Sequence, residues 1–206
     1  MPTLRLVTDA TAEPVTLADL KIYIGLSTVT TVEDTLLNSM EKAARHYCEN
    51  YTKKPCLPQT FQLIVDEWPE NDEFTLPRYP LSTSTADVVI TYLDAVSGNS
   101  TTLNSTVYGI DHYAEPPRIF LNDGSEWPSH YTQRNAITVQ FIAGCTLTTA
   151  APATDNCPEE METWIKMRVK QMYDNRDIVQ HGNITIMANS YVDGLLDAHK
   201  MPDVRP

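Results

Sequence analysis

The chain has 206 residues, 42% hydrophobic and 20% charged, a composition that can bury a sizeable core and is unlike that of a disordered protein. Its net charge of −12 argues against wrapping nucleic acid, which calls for clustered Lys and Arg. It is compatible with a surface past which DNA slides without adhering. No apolar run approaches the roughly 18 residues of a membrane span, and MPTLRLVTDATAEP lacks the apolar core of a signal peptide, so an intracellular chain beginning here is expected.

In chain order, TLADLKIYIGL places Leu17, Leu20 and Ile24 on one helical face, with Thr16 and Asp19 as a capping-box-like start and Gly25 weakening the end. A second helix is expected over 33–54. Leu36, Leu37, Met40, Ala43, Ala44, Tyr47 and Tyr51 recur at three- and four-residue steps, which predicts the buried stripe. Glu41, Lys42, Arg45, Glu49 and Asn50 fall mainly off it, and His46 with Glu49 and Asn50 reads as a solvated flank. Pro55 enforces the stop.

From Gln59 to about Ala143 the period becomes two. Short runs rich in Val, Ile, Thr and aromatics are separated by PENDE, SGNS, EPP and NDGSEWP, which predicts a compact antiparallel β-domain of about six strands. SGNS is expected to close a hairpin between 88–95 and 101–108. The acidic run Asp66, Glu67, Glu70, Asp72 and Glu73 lacks the ligand spacing and Gly of a calcium loop and reads as a solvated hairpin turn.

The helical period then returns. Pro158 suits a helix start, Glu159, Glu160 and Glu162 suit its first turn, and Met161, Trp164, Ile165, Arg168, Val169 and Met172 form the stripe. A last short amphipathic stretch, YVDGLLDAHK, precedes an extended MPDVRP. The expected fold class is therefore α+β: a helical bundle (1–56 and 148–183), an inserted antiparallel β-domain (57–147) and an extended C-terminal tail (184–206).

No catalytic centre emerges. None of the five histidines has metal-ligand spacing, and the four cysteines (Cys48, Cys56, Cys145, Cys157) show no CxxC, so no metal or cofactor is expected and the thiols read as free. Asp111, His112 and His130 lack a nucleophile elbow. Phosphate-cradling GxGxxG and GxxxxGK[ST] motifs are missing. Trp68 and Trp127 end two strands as plugs or as interface anchors.

The ordered series TLADLKIYIGL, EDTLLNSMEKAARHYCENYTKKPCLPQTFQLIVDEWP, LPRYPL with VITYLDA, YGIDHYAEPPRIFL, ITVQFIAG, CPEEMETWIKMRVKQMYDNRD and YVDGLLDAHK resembles the head–tail connector (adaptor) proteins of tailed bacteriophages, in the long form with a β insertion. The resemblance covers nearly the whole chain. It implies a non-enzymatic virion-neck protein, assembled in the host cytoplasm into a ring, usually twelvefold, beneath the portal. Such a ring extends the DNA channel and carries the next neck or tail protein.

Carried onto this sequence, the resemblance implies ring-forming helices with Met40, Arg45, Tyr47, Tyr51, Trp164, Arg168, Met172 and Tyr173. It also implies a portal-docking tail with Tyr191, Val192, Leu195, Leu196, His199, Met201, Val204 and Arg205. The acidic residues between 66 and 73 are channel or loop candidates. The 145–157 linker and the 179–190 segment are longer than the family's usual spacing. The alternative is a carbohydrate- or peptide-binding β module using Trp68, Trp127 and Tyr131 as a stacking platform.

Overall fold

The computed structural model describes residues 2–145, 157–175 and 190–201, with the side chains of 190–193 excepted. Its contacts divide the chain into two compact units, a β unit and a helical unit.

The β unit contains the described residues of 1–10 and 58–145, together with Met201. Its strands are β1 (Thr3–Thr8), β2 (Gln59–Val65), β3 (Glu73–Thr75), β4 (Val88–Leu93), β5 (Ser100–Thr102), β6 (Tyr108–Asp111), β7 (Arg118–Leu121) and β8 (Ile137–Ala143). They form a five-stranded sheet, order β1-β2-β8-β4-β5, and a three-stranded sheet, order β3-β7-β6, with every pairing antiparallel. Buried and half-buried residues alternate strictly along β8, as the two-residue side-chain period requires of a half-covered strand. Its buried set, Ile137, Val139, Phe141 and Ala143, joins Phe61, Leu63, Phe74, Leu76, Ile90 and Ile119 in one core drawn from both sheets.

Three features depart from the sequence reading. TLRLVT, expected to belong to the helical part, is an edge strand paired to β2 through Leu4↔Leu63 and Leu6↔Phe61. The SGNS turn does close an antiparallel hairpin, but its second strand ends at Thr102. Tyr108 instead begins β6 in the other sheet. The acidic run joins β2 to β3, which lie in different sheets, so it is a crossing between sheets rather than a hairpin. Asp72 turns there at φ 56 and its carbonyl accepts from Leu121 N–H at 3.0 Å.

The helical unit contains the described residues of 11–57 and 157–200. Helix α1 (Leu17–Ile24) begins at Thr16, whose hydroxyl accepts from Asp19 N–H at 3.2 Å and donates to the Asp19 carboxylate at 2.6 Å. It stops at Gly25, held at φ 90, where an L side chain would be strained. Lys21 is buried. Its ammonium donates to the Thr30 carbonyl at 2.6 Å and pairs with Asp34 at 2.5 Å, tying the 27–33 turn to the start of α2.

Helix α2 (Asp34–Thr52) ends at Lys53, in the left-handed region at φ 62. Helix α3 (Glu159–Asp174) follows Pro158 and buries Met161, Trp164, Ile165 and Val169. Helix α4 (Ser190–Asp197) packs on α2 and α3. The tail region 184–206 thus contains a helix across 190–197, while 184–189 and 202–206 lie outside the described residues. Among the described residues no helix is long and apolar enough to cross a membrane.

Candidate assembly surfaces

The face of α2 turned inward only partly matches the one its apolar spacing predicts, sharing Leu37 and Ala44 with it. Buried are Leu37, Glu41, Ala44, Arg45, Cys48, Glu49 and Thr52. Of the predicted stripe, Leu36 and Tyr47 are 37% and 50% exposed, Ala43 is exposed, and Met40 and Tyr51 are half-buried. The two stripes lie one residue apart and share the same spacing, so periodicity alone cannot separate them.

Ion pairing decides between them. The Arg45 guanidinium donates through Nε and Nη2 to both oxygens of Glu13, at 2.6 and 3.2 Å. Through Nη1 it donates to both oxygens of Glu49, at 3.3 and 3.2 Å. Glu49 also accepts the Cys56 N–H at 3.0 Å, and Glu41 accepts the Val15 N–H at 3.2 Å. These bonds replace water around charges that would otherwise be costly to bury. Glu49 is therefore a buried partner, not part of a solvated flank. Burial, reinforced by the neighbouring Glu13 charge, pushes the Glu41 carboxyl up from its ordinary 4.5 to about 7. The signal was present in the sequence as charges at 41, 45 and 49, successive helical neighbours on one stripe.

Of the proposed ring-forming residues, Arg45 and Trp164 are enclosed within their own chain, at 0% and 1% exposure, and leave no surface for a neighbour. Tyr47 stacks on Trp164 at 5.4 Å and on Tyr51 at 6.4 Å while remaining half exposed. Arg168, Met172 and Tyr173 are half-buried. Arg168 donates to Gln171 at 2.7 Å, and the Tyr173 hydroxyl donates to Glu33 at 2.5 Å. Leu36, Ala43 and Tyr47 thus form an outward apolar face on α2, and Val29 and Val32 of the preceding turn are 86% and 88% exposed.

In the tail, Leu196 is buried and Leu195 and His199 are half-buried. Tyr51 donates to Asp197 at 2.5 Å, His199 lies 3.4 Å from Glu160, and the Lys200 ammonium sits 5.4 Å from the Tyr51 ring centroid. Met201 is also buried. The side chains of Tyr191 and Val192, and the whole of Val204 and Arg205, lie outside the described residues.

Among the acidic candidates, Glu67, Glu70 and Asp72 are exposed. Asp66 accepts the Asn135 N–H at 2.8 Å, and Glu73 pairs with Arg118 at 3.2 Å.

In the β unit, Trp68 and Trp127 stack on each other at 4.7 Å, 6° from parallel, and pack against the core with Phe74 and Tyr92 beside them. Trp68 Nε1 donates to the Pro128 carbonyl at 2.8 Å. Each indole covers a face of the other, an arrangement of plugs rather than of an open stacking platform. The Asp111 carboxylate accepts from Tyr113 and Ala114 N–H, closing its own loop. His130 lies edge-on to Trp68. Among the described residues no group of three or more His, Cys, Asp or Glu is arranged to hold a metal ion.

Two antiparallel sheets sharing a core, with a helical unit made from the segments between β1 and β2 and after β8, define an α+β protein whose β unit and helical unit are both discontinuous in sequence. No family model matches the sequence, and no curated protein matches it. Solved structures do. A chain of the neck of an empty gene transfer agent particle, computed with C6 symmetry, is similar with a TM-score of 0.75 and 23% identity over 98% of this chain and 97% of that one. Chains of the native gene transfer agent virion and of its neck computed with C12 symmetry match at TM-scores of 0.73 and 0.72. Each is 22% identical over the same shares of the two chains. This chain is therefore similar in fold to those particle chains over nearly the whole length of both.

Proposed function

We propose that the protein is a structural, non-enzymatic component of a virion neck, a head–tail connector that forms a ring under the portal. The observation that carries this reading is the likeness to neck chains over nearly the full length of both partners, helices and β-domain together. A closed ring is built from a head-to-tail contact in which one face of each subunit meets a different face of the next. The outward apolar face of α2, with Leu36, Ala43 and Tyr47, supports such a contact. The ring extends the DNA channel and joins the capsid to the next neck or tail protein. A net charge of −12 per copy keeps the duplex from adhering as it passes. The region 184–206 docks on the portal.

Negative-stain imaging and native mass spectrometry of the protein, alone and with its portal, test this. Rings or portal-bound collars are expected, and Leu36→Asp with Ala43→Asp should abolish them while leaving the monomer folded. A monomer that ignores the portal would refute the connector reading, and rings unaffected by the double substitution would refute the α2 face.

A further inference from the structure

The chain contains two Asp–Gly pairs, Asp123–Gly124 and Asp193–Gly194, and the fold places them in opposite settings. Asp123 and Gly124 are both exposed, in the turn that follows β7. Ser125 N–H donates to the Asn122 carbonyl at 3.0 Å. Gly124 is at φ 74 while Asp123 is not in the positive-φ region, which makes this a type II turn. Its closing bond uses the N–H of the fourth residue, Ser125, and leaves the Gly124 N–H outside it. A Cβ added at Gly124 would meet nothing within 4 Å, so no neighbouring group crowds the site. The base of the turn is pinned by Asn122, whose N–H donates to the Val107 carbonyl at 3.0 Å and whose side-chain amide donates to the Thr106 carbonyl at 3.0 Å. Gly194, by contrast, lies inside α4, where the helical ladder engages the backbone N–H groups.

We propose that Asp123–Gly124 is a modification site, a turn that rearranges to isoaspartate and so becomes a substrate for a methyltransferase dependent on S-adenosylmethionine. The Gly124 amide nitrogen attacks Cγ of Asp123. The N–Cγ bond forms, the C–OH bond of the carboxyl breaks, and the hydroxyl leaves with the amide hydrogen as one water, giving a succinimide ring. Water then adds back to one of the two ring carbonyls. Cleavage of the bond between nitrogen and the main-chain carbonyl carbon leaves the chain running through Cγ, with the α-carboxylate free to accept a methyl group. Cleavage at Cγ restores Asp123. The water lost is regained, so mass and charge are unchanged and no oxidant or reductant takes part.

The nucleophile and the electrophile are neighbours in one chain, so closure has the advantage of an intramolecular reaction. Glycine adds no Cβ to hinder it. In α4 the same closure requires rotation of the Asp193 main chain out of its helical conformation, which breaks the ladder. The inference is independent of the connector reading.

The test incubates the full folded chain for weeks in neutral buffer. Samples are assayed with an isoaspartate O-methyltransferase and labelled S-adenosylmethionine, and their peptides are mapped by electron-transfer dissociation. Methyl acceptance should rise with time and map to the Asp123 peptide, several-fold above the Asp193 peptide, with intact mass unchanged. Asp123→Glu keeps the charge but would need a larger ring, and should remove the signal; Asp193→Glu should leave it. In urea the two peptides should react alike, because the difference belongs to the fold. Absence of isoaspartate at Asp123, equal modification at Asp193 in the folded chain, or a preference for Asp123 that persists in urea would overturn the proposal.

Discussion

Replacing Glu41 with Gln should flatten the dependence of stability on pH. Glu41 carries a carboxyl whose ordinary value of 4.5 rises to about 7 in the fold. Between those values the folded chain holds a proton that the unfolded chain has lost. Stability therefore falls as pH rises through this window and levels off above it. The difference of 2.5 units (7 − 4.5), at about 1.36 kcal/mol per unit, gives a loss of at most about 3 kcal/mol, less any screening by solvent. Gln keeps the oxygen that accepts the Val15 N–H and carries no charge. Urea titrations of both proteins across this window should show the wild type losing stability while the variant changes by about 1 kcal/mol or less. Parallel curves for the two proteins would refute the assignment, since every other titrating group is common to both.

Other substitutions have equally definite outcomes. Arg45→Met leaves Glu13 and Glu49 without their shared partner and should cost about 3–5 kcal/mol in urea unfolding at neutral pH. Trp164→Ala removes a side chain 1% exposed and should cost about 3–5 kcal/mol, again read from denaturant midpoints. Gly25→Ala forces a Cβ onto a residue at φ 90 and should cost about 1 kcal/mol, read as a lower thermal midpoint with unchanged far-ultraviolet dichroism.

Elements with a strong local signal were legible in the sequence. The Thr16 cap, the Gly25 stop, the Glu-rich start of α3 and the alternation of β8 depend on neighbours a few residues away, and each forms where the pattern places it. The inward face of α2 was legible only at Leu37 and Ala44; the burial of the charges at 41, 45 and 49 rests on partners outside the helix, such as Glu13, far upstream, reaching Arg45. Strand β1 was missed for a related reason. Its burial pattern is almost wholly exposed, so no core-facing alternation marks it, and only pairing with β2 makes it a strand. The assembly surface was legible as a set of apolar residues but not as an outward face. Leu36, Ala43 and Tyr47, which look like core in the sequence, are left exposed by the single chain, while Leu37 and Ala44 of the same stripe are buried.

The position of β1 also determines how this molecule can be divided. The chain opens in the β unit, leaves it for the helices and returns at β2. Neither unit is therefore a contiguous piece of polypeptide. During synthesis β1 emerges well before the strand it must join. A fragment cut to 58–145 would carry β2 with its Leu63 and Phe61 edge unpaired. That open edge is a template for strand addition by another chain, so such a fragment should self-associate until a peptide bearing TLRLVT is supplied in trans.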